Sequence, residues 1–396
     1  MAIIKNIEVA EKSARRRAAS LSSIVTFLLA LAISLSPLYF FPSGGPQLTD
    51  FAFVVFSSVV ALAAVSNKIY LEKRDKRLLV LFILLCLWVL VVSSVNTIYF
   101  SMTEILFPSL FYIYNTIVAV MVFMFLKESP SAGARAIKIG AVLSTVIVLV
   151  FWFSDLTAST RRVDGSFNNP NQLAYYSLVI ISILLCVLNN KELLKPVYLC
   201  VIGVLVVYTL SSSSLTAVVA LFISLFGVLC KVSGTLRSAL TRGVSLLAII
   251  VVAGSVFMMT EKGNTVVNMV EARFLLLDDK LEDVGESRGY SRILEYPEYI
   301  FFGAGERGRD RFGYGHSHEI HSTFGTLLFS YGIVGVVLFM MLLVSTIREG
   351  GFYHFFALAA PLFYAITHNG LRFTLFWILL VVIFMSIKEC RKISNS

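Results

Sequence analysis

The residues best suited to chemistry lie close together between Gly303 and Ser322. There Glu306, Arg307, Arg309, Asp310 and Arg311 are followed by His316, His318, Glu319 and His321, with five glycines interspersed. Glycine lets backbone approach a ligand closely, and three arginines at alternate positions offer planar forks matched to phosphate oxygens. Three of the five histidines of the chain fall within six residues, in the spacing H-x-H-x-x-H. With Glu319 beside them, neutral imidazoles in that spacing suit zinc, although the neighbouring arginines repel a cation. The alternative is one histidine as general base, with the others lining a pocket or facing water. An imidazole with a pKa near 6.5 is matched to taking a hydroxyl proton at neutral pH.

A second cluster runs from Arg161 and Arg162 through Asp164 and Gly165 to Asn168, Asn169, Pro170, Asn171 and Gln172. Asn-Pro-Asn can turn the chain and cap a following helix. Adjacent arginines at a membrane surface can hold a lipid-linked phosphate or simply contact headgroups. Further polar candidates are Arg288, Arg292, the serine run 211–214, and His368, Asn369 and Arg372. No G-x-S-x-G, Walker A or Rossmann glycine pattern stands in a usable context, so serine hydrolase, ATPase and dinucleotide enzyme have no support.

The elements that position these residues belong to a membrane. Of the 396 residues 57% are hydrophobic and 14% charged, which excludes a water-soluble protein. Stretches such as 78–95 are apolar on every face, which excludes a β-barrel. The fold class expected is all-α, a polytopic integral membrane protein with about twelve transmembrane helices near 21–42, 51–66, 77–95, 105–126, 137–154, 173–189, 193–210, 212–230, 242–260, 323–347, 352–367 and 371–388. The first apolar run is too long for the core of a cleavable signal, so it is expected to remain as a helix.

If the N-terminus is cytoplasmic, the inside segments carry 22 of the 33 Lys and Arg residues and the outside segments 11. That bias predicts both termini inside. It also explains the net charge of +9 without nucleic acid. Eight of the eleven outside cations lie in 261–322, the long loop before helix 10. The chain thus divides into 1–260 (helices 1–9), the loop 261–322, and 323–396 (helices 10–12 with a cytoplasmic tail). None of the five cysteines lies in an outside loop, so no disulfide framework is expected. Apart from His354 the spans hold almost no ionisable group away from their ends, and no internal repeat or Gly/Pro-broken helix pair marks a carrier site, so transport is the weaker reading.

The run from Arg162 to Asn171 is similar to the R-x-x-G-x-F-x-N-P-N segment of the O-antigen ligase and polymerase superfamily. His321, followed by Gly332 and Gly335, resembles its histidine and G-x-x-G pattern, with Ser322 in place of the usual asparagine. Arg288 and Arg292, then Gly303, Gly305 and Glu306, look like the variant in polymerases of oligosaccharide repeat units. The resemblance spans roughly 160–335. It implies a metal-independent, inverting glycosyltransferase without cofactors, at the periplasmic face of a bacterial inner membrane, extending O-antigen or capsular and exopolysaccharide from undecaprenyl-pyrophosphate-linked glycans. Ligation of glycan to lipid A core is the alternative.

In that chemistry His321 would be the general base. Arg162, Arg288 and Arg292 would bind the pyrophosphate, with Arg161, Arg307, Arg309 and Arg311 behind them. His316, His318, Glu319, Asn171 and Arg372 would orient base or sugar. Expected partners are membrane lipids and, by the same resemblance, a flippase and a chain-length regulator.

Overall fold

The computed structural model describes residues 22–42, 44–66, 69–158, 164–212, 214–243, 289–312 and 319–394. Every regular element among them is helical. The long helices are α1 (Ser22–Leu35), α2 (Leu48–Ser66), α3 (Lys73–Phe100), α4 (Phe107–Glu128), α5 (Pro130–Ala158), α6 (Pro170–Val187), α7 (Pro196–Ser211), α8 (Leu215–Ser233), α9 (Thr323–Ile347), α10 (Phe352–Tyr364) and α11 (Thr374–Ser394). They fall on eleven of the twelve expected spans; the ninth, 242–260, lies outside the described residues. Seven helices, α2 to α6, α8 and α9, are long and apolar enough to cross a membrane, whereas α1, α7 and α10 are shorter than a full span.

Proline marks many of the starts. Pro108, Pro130, Pro170 and Pro196 each sit in a first helical turn, where the missing N–H costs nothing and the fixed φ is already helical. Proline also corrects the first expected span. Instead of running to 42, α1 stops at Leu35, because Pro37 disfavours helical backbone at Ser36. Residues 36–42 and 44–47 thereby lie outside the helix, and several of them become part of the site described below.

Helix α6 is buried around almost its whole circumference from Leu173 to Cys186, and α11 likewise from Leu375 to Ile387. They form the centre of the bundle. Outer helices instead present apolar side chains outward, among them Phe27 (64% exposed), Leu62 (73%) and Ile98 (79%). An apolar surface on this scale fits a lipid environment.

The loops segregate into two ends. At one end Lys127 and Lys388 contact Asp75 at 2.6 and 2.7 Å, Lys138 contacts Glu192 at 2.7 Å, and Arg74 contacts Glu349 at 3.3 Å. Every cation in these pairs comes from a segment expected inside. At the other end meet 36–42, 44–47, 164–169, 289–312, 319–322 and 365–373. There the Tyr39 amide donates to the Ser166 carbonyl (3.2 Å), the Asn168 amide group to the Phe41 carbonyl (3.1 Å), and the Thr323 amide to the Ala365 carbonyl (2.9 Å).

One helix departs from the sequence reading. Inside α9, Gly332 takes φ 66° and ψ −174°, which breaks the helix in the middle of its apolar run. The carbonyls set free are used: Phe329 and Ser330 accept from the Ala304 and Gly305 amides at 2.9 and 2.8 Å, and Tyr331 accepts from the Trp88 indole at 2.7 Å. Strand-like backbone from the polar loop therefore inserts beside α9. Glycine is needed on both sides, since a Cβ at Gly332 would stand 2.2 Å from the Phe301 oxygen and one at Gly303 would stand 2.4 Å from the Ser330 oxygen. The sequence reading set out this helix as one unbroken run over 323–347: a glycine in an apolar run reads as a small packing residue until its backbone is seen.

Candidate functional site

The end that gathers the polar loops contains a cavity of about 310 Å³, at the lower bound for small-molecule sites. Its wall is assembled from first turns. Gln47 precedes α2 and Thr49 and Asp50 lie in its first turn, Asn169 caps α6 and Gln172 lies in its first turn, His321 precedes the Ser322 cap of α9, and Thr374 and Leu375 begin α11. Four helix N-termini with their positive dipole ends therefore border one space, which favours an anion. A smaller lobe of about 30 Å³, lined by Arg292, Glu306, Arg309, Thr326 and Ser330, adjoins it. Arg307, Glu319, Asn369 and Arg372 line both.

The caps that fix these turns are local. Asn169 accepts from the Gln172 amide at 3.0 Å, so the Asn-Pro-Asn turn does cap α6. Ser322 accepts from the Gly325 amide at 3.2 Å and so caps α9, fixing His321 at its mouth. Gln47 spans its own loop, accepting from the Phe41 amide (3.1 Å) and donating to the Phe41 carbonyl (2.9 Å).

A buried charge network underlies the cavity. Glu306 is only 5% exposed. One of its carboxylate oxygens accepts from the Tyr112 and Tyr331 hydroxyls, each at 2.9 Å; the other accepts from Arg372 Nε at 3.1 Å and also from Nη2. Arg372 reaches on through Nη1 to Glu319 at 3.4 Å, and Glu319 pairs with Arg309 at 2.7 Å. Around the smaller lobe four arginines thus face two glutamates, and Asp50 on the cavity wall brings the carboxylates of the two spaces to three.

These neighbours set the charge states. Burial alone would raise the Glu319 carboxyl, but Arg372, Arg309 and His321 outweigh it and hold its pKa below the usual carboxylate value. Burial likewise works against the Arg372 charge, yet Glu306 and Glu319 carry its pKa above the ordinary arginine value. His368 is pushed down to about 4, chiefly by burial and then by His321, and so stays neutral at physiological pH.

The sequence candidates separate into three groups. His321, exposed on the cavity wall, Glu319, Arg307 and Arg372 all line the cavity, and Arg292 and Arg309 line its small lobe. Arg311 and Asn171 line neither. The Arg311 guanidinium lies over the Phe100 and Phe312 rings and donates to the carbonyls of Ala304, Gly305 (3.3 Å) and Arg307 (3.4 Å), which makes it a brace of the loop. Burial draws its pKa down to about 10. Asn171 offers its carbonyl to the Tyr364 hydroxyl at 3.4 Å, while its neighbours Asn169 and Gln172 reach the cavity instead. Arg161, Arg162, Arg288, His316 and His318 lie outside the described residues, and the metal reading, which depends on the last two, lies there with them.

Sequence reasoning put Glu306 in the polar cluster but gave it no role, and it missed the partners Tyr112 and Tyr331. Nor did it find Tyr39, Asp50 and Tyr114, which also line the cavity. His354, the one ionisable residue expected within a span, belongs to the first turn of α10, where its Nδ1 accepts from the Gly351 amide at 3.1 Å and its Nε2 lies 3.2 Å from the Ser386 hydroxyl. It caps a helix far from this cavity. No protein-family model matches the chain, and no curated protein matches it.

Proposed function

We propose that this protein is a membrane glycosyltransferase that polymerises undecaprenyl-pyrophosphate-linked oligosaccharide repeat units at the periplasmic face of a bacterial inner membrane, with both termini in the cytoplasm. The observation that carries the reading is the cavity itself: an exposed histidine at a helix mouth shares one wall with Arg307 and Arg372. That is the pairing of base and cation which departure of pyrophosphate requires. The motif resemblance around His321 and Arg292 supplies the substrate class.

In the reaction, a hydroxyl oxygen of the acceptor sugar attacks the anomeric carbon of the donor from the face opposite its leaving group. Its proton passes to a ring nitrogen of His321 as the new C–O bond forms. The bond from the anomeric carbon to the pyrophosphate oxygen breaks, and its electron pair stays with that oxygen. Arg307, Arg372 and the bordering helix N-termini stabilise the charge that develops there. Inversion at the anomeric carbon follows from the single displacement.

The test is to incubate purified protein with lipid-linked repeat units, with no lipid A core present. A ladder of regular spacing that survives chelation supports metal-independent polymerisation. Products that form only when core is added would reassign the protein as a ligase, and activity lost on chelation and restored by zinc would promote the histidine cluster to a metal site.

A further inference from the structure

The two glutamates on Arg372 are held very differently. Glu306 is a fixture: its side chain is 4% exposed, and both oxygens are engaged by Tyr112, Tyr331 and Arg372. Glu319 is 35% exposed and lies where the cavity meets the small lobe. Its contact with Arg309 is short, at 2.7 Å, but that with Arg372 is 3.4 Å, near the limit of a hydrogen bond. Two oxygens set between two guanidinium forks is also the geometry in which arginines take a phosphate.

We infer that Glu319 is an internal occupant of the anion site, its carboxylate holding between Arg309 and Arg372 the place of one ligand phosphate until an incoming pyrophosphate displaces it. The identity of that ligand rests on the function proposed above; the occupancy rests on the geometry. With Glu319 in place the small lobe carries four arginines against two carboxylates, and with Glu319 swung away four against one. Displacement therefore exposes charge for a doubly anionic pyrophosphate diester only while the ligand is there to neutralise it. The empty site thus keeps a carboxylate between Arg309 and Arg372, and smaller anions gain less from entering it. Affinity for pyrophosphate is accordingly lower than the arginines alone would give, because Glu319 must give way first.

Calorimetric titration of inorganic pyrophosphate into the full-length protein in lipid nanodiscs tests this without reliance on glycosyl transfer. Glu319→Gln keeps the shape and removes the competing charge, and it is expected to tighten binding about tenfold. Asp50→Asn removes a carboxylate elsewhere on the lining of the same cavity and controls for general electrostatics, with an expected change under about threefold. Glu319→Ala, expected to tighten binding as the glutamine variant does, guards against an effect peculiar to one substitution, and circular dichroism establishes that each variant is folded. Binding unchanged or weakened in folded Glu319 variants overturns the inference, as does equal tightening by Asp50→Asn. Tighter binding in a protein that makes no ladder would leave the inference standing and remove the polymerase reading.

Discussion

The two ends of this bundle both bury charge, but to different purpose. At the end expected inside, Asp75 is fully buried and its two oxygens are taken by Lys127 and Lys388, while Glu72 adds a second carboxylate 2.9 Å from Lys388. Two acids meet two bases there, and α3, α4 and α11 are tied together. The Glu72 carboxyl is held below its usual pKa by Lys388 and Lys127. At the opposite end four arginines stand against Glu306, Glu319 and Asp50 around a cavity and its small lobe, and helix N-termini border the space. A closed, balanced cluster holds elements in place, whereas an open, unbalanced one has room for a ligand of opposite sign.

Substitutions at the two ends should therefore part stability from activity. The largest effect is expected from Asp75→Ala, which leaves Lys127 and Lys388 facing each other with only the more exposed Glu72 between them. Loss of one partner from a buried pair costs about 3 to 5 kcal/mol. Denaturant titration in detergent should show that loss while transfer per folded molecule is preserved; a catalytic defect in the folded fraction would erase the distinction between the ends.

His321→Ala should do the reverse, lowering transfer by on the order of a hundredfold or more with the unfolding midpoint nearly unchanged. Near-normal turnover would place the base elsewhere, with His318 next in line. Arg372→Lys keeps a positive charge but cannot serve Glu306 and Glu319 at once as a planar fork does. Activity about tenfold lower is expected, and a fully active lysine variant would reduce Arg372 to a source of diffuse potential.

How much of this was legible beforehand differs between the same regions. The helices were, because apolar runs are local signals, although among the described residues seven rather than twelve are long and apolar enough to cross a membrane; so was the position of His321 directly ahead of such a run. The role of Glu306 was hidden, since it is one of twelve acidic residues between 261 and 322, and its partners Tyr112 and Tyr331 look like ordinary core aromatics within apolar helices. Only the break at Gly332 brings these three together. The paired glycines 303 and 305 ahead of Glu306, with Gly332 and Gly335 on α9, were the available signal, but glycine spacing does not say which backbones meet.

Smaller effects sharpen the contrast. His368 has a pKa near 4 in the fold against about 6.5 when unfolded. Between those values the unfolded chain binds more protons, so His368 makes stability fall as pH drops from about 6.5 to 4. Thermal unfolding of His368→Gln should show a shallower fall across that window, and parallel curves would contradict the assignment. Ser322→Ala removes a helix cap and should cost about 1 kcal/mol. Ser322→Asn, which restores a capping side chain, should be close to neutral; equal losses in both would mean that the cap contributes little.

The most direct test of the contrast is photo-cross-linking with a polyprenyl pyrophosphate that carries a diazirine next to its phosphates, followed by peptide mapping of the full-length protein in nanodiscs. Adducts within 303–321 and 367–375, suppressed by excess inorganic pyrophosphate, are the predicted result. Adducts confined to the Asp75, Lys127 and Lys388 end, or a pattern indifferent to pyrophosphate, would contradict the account.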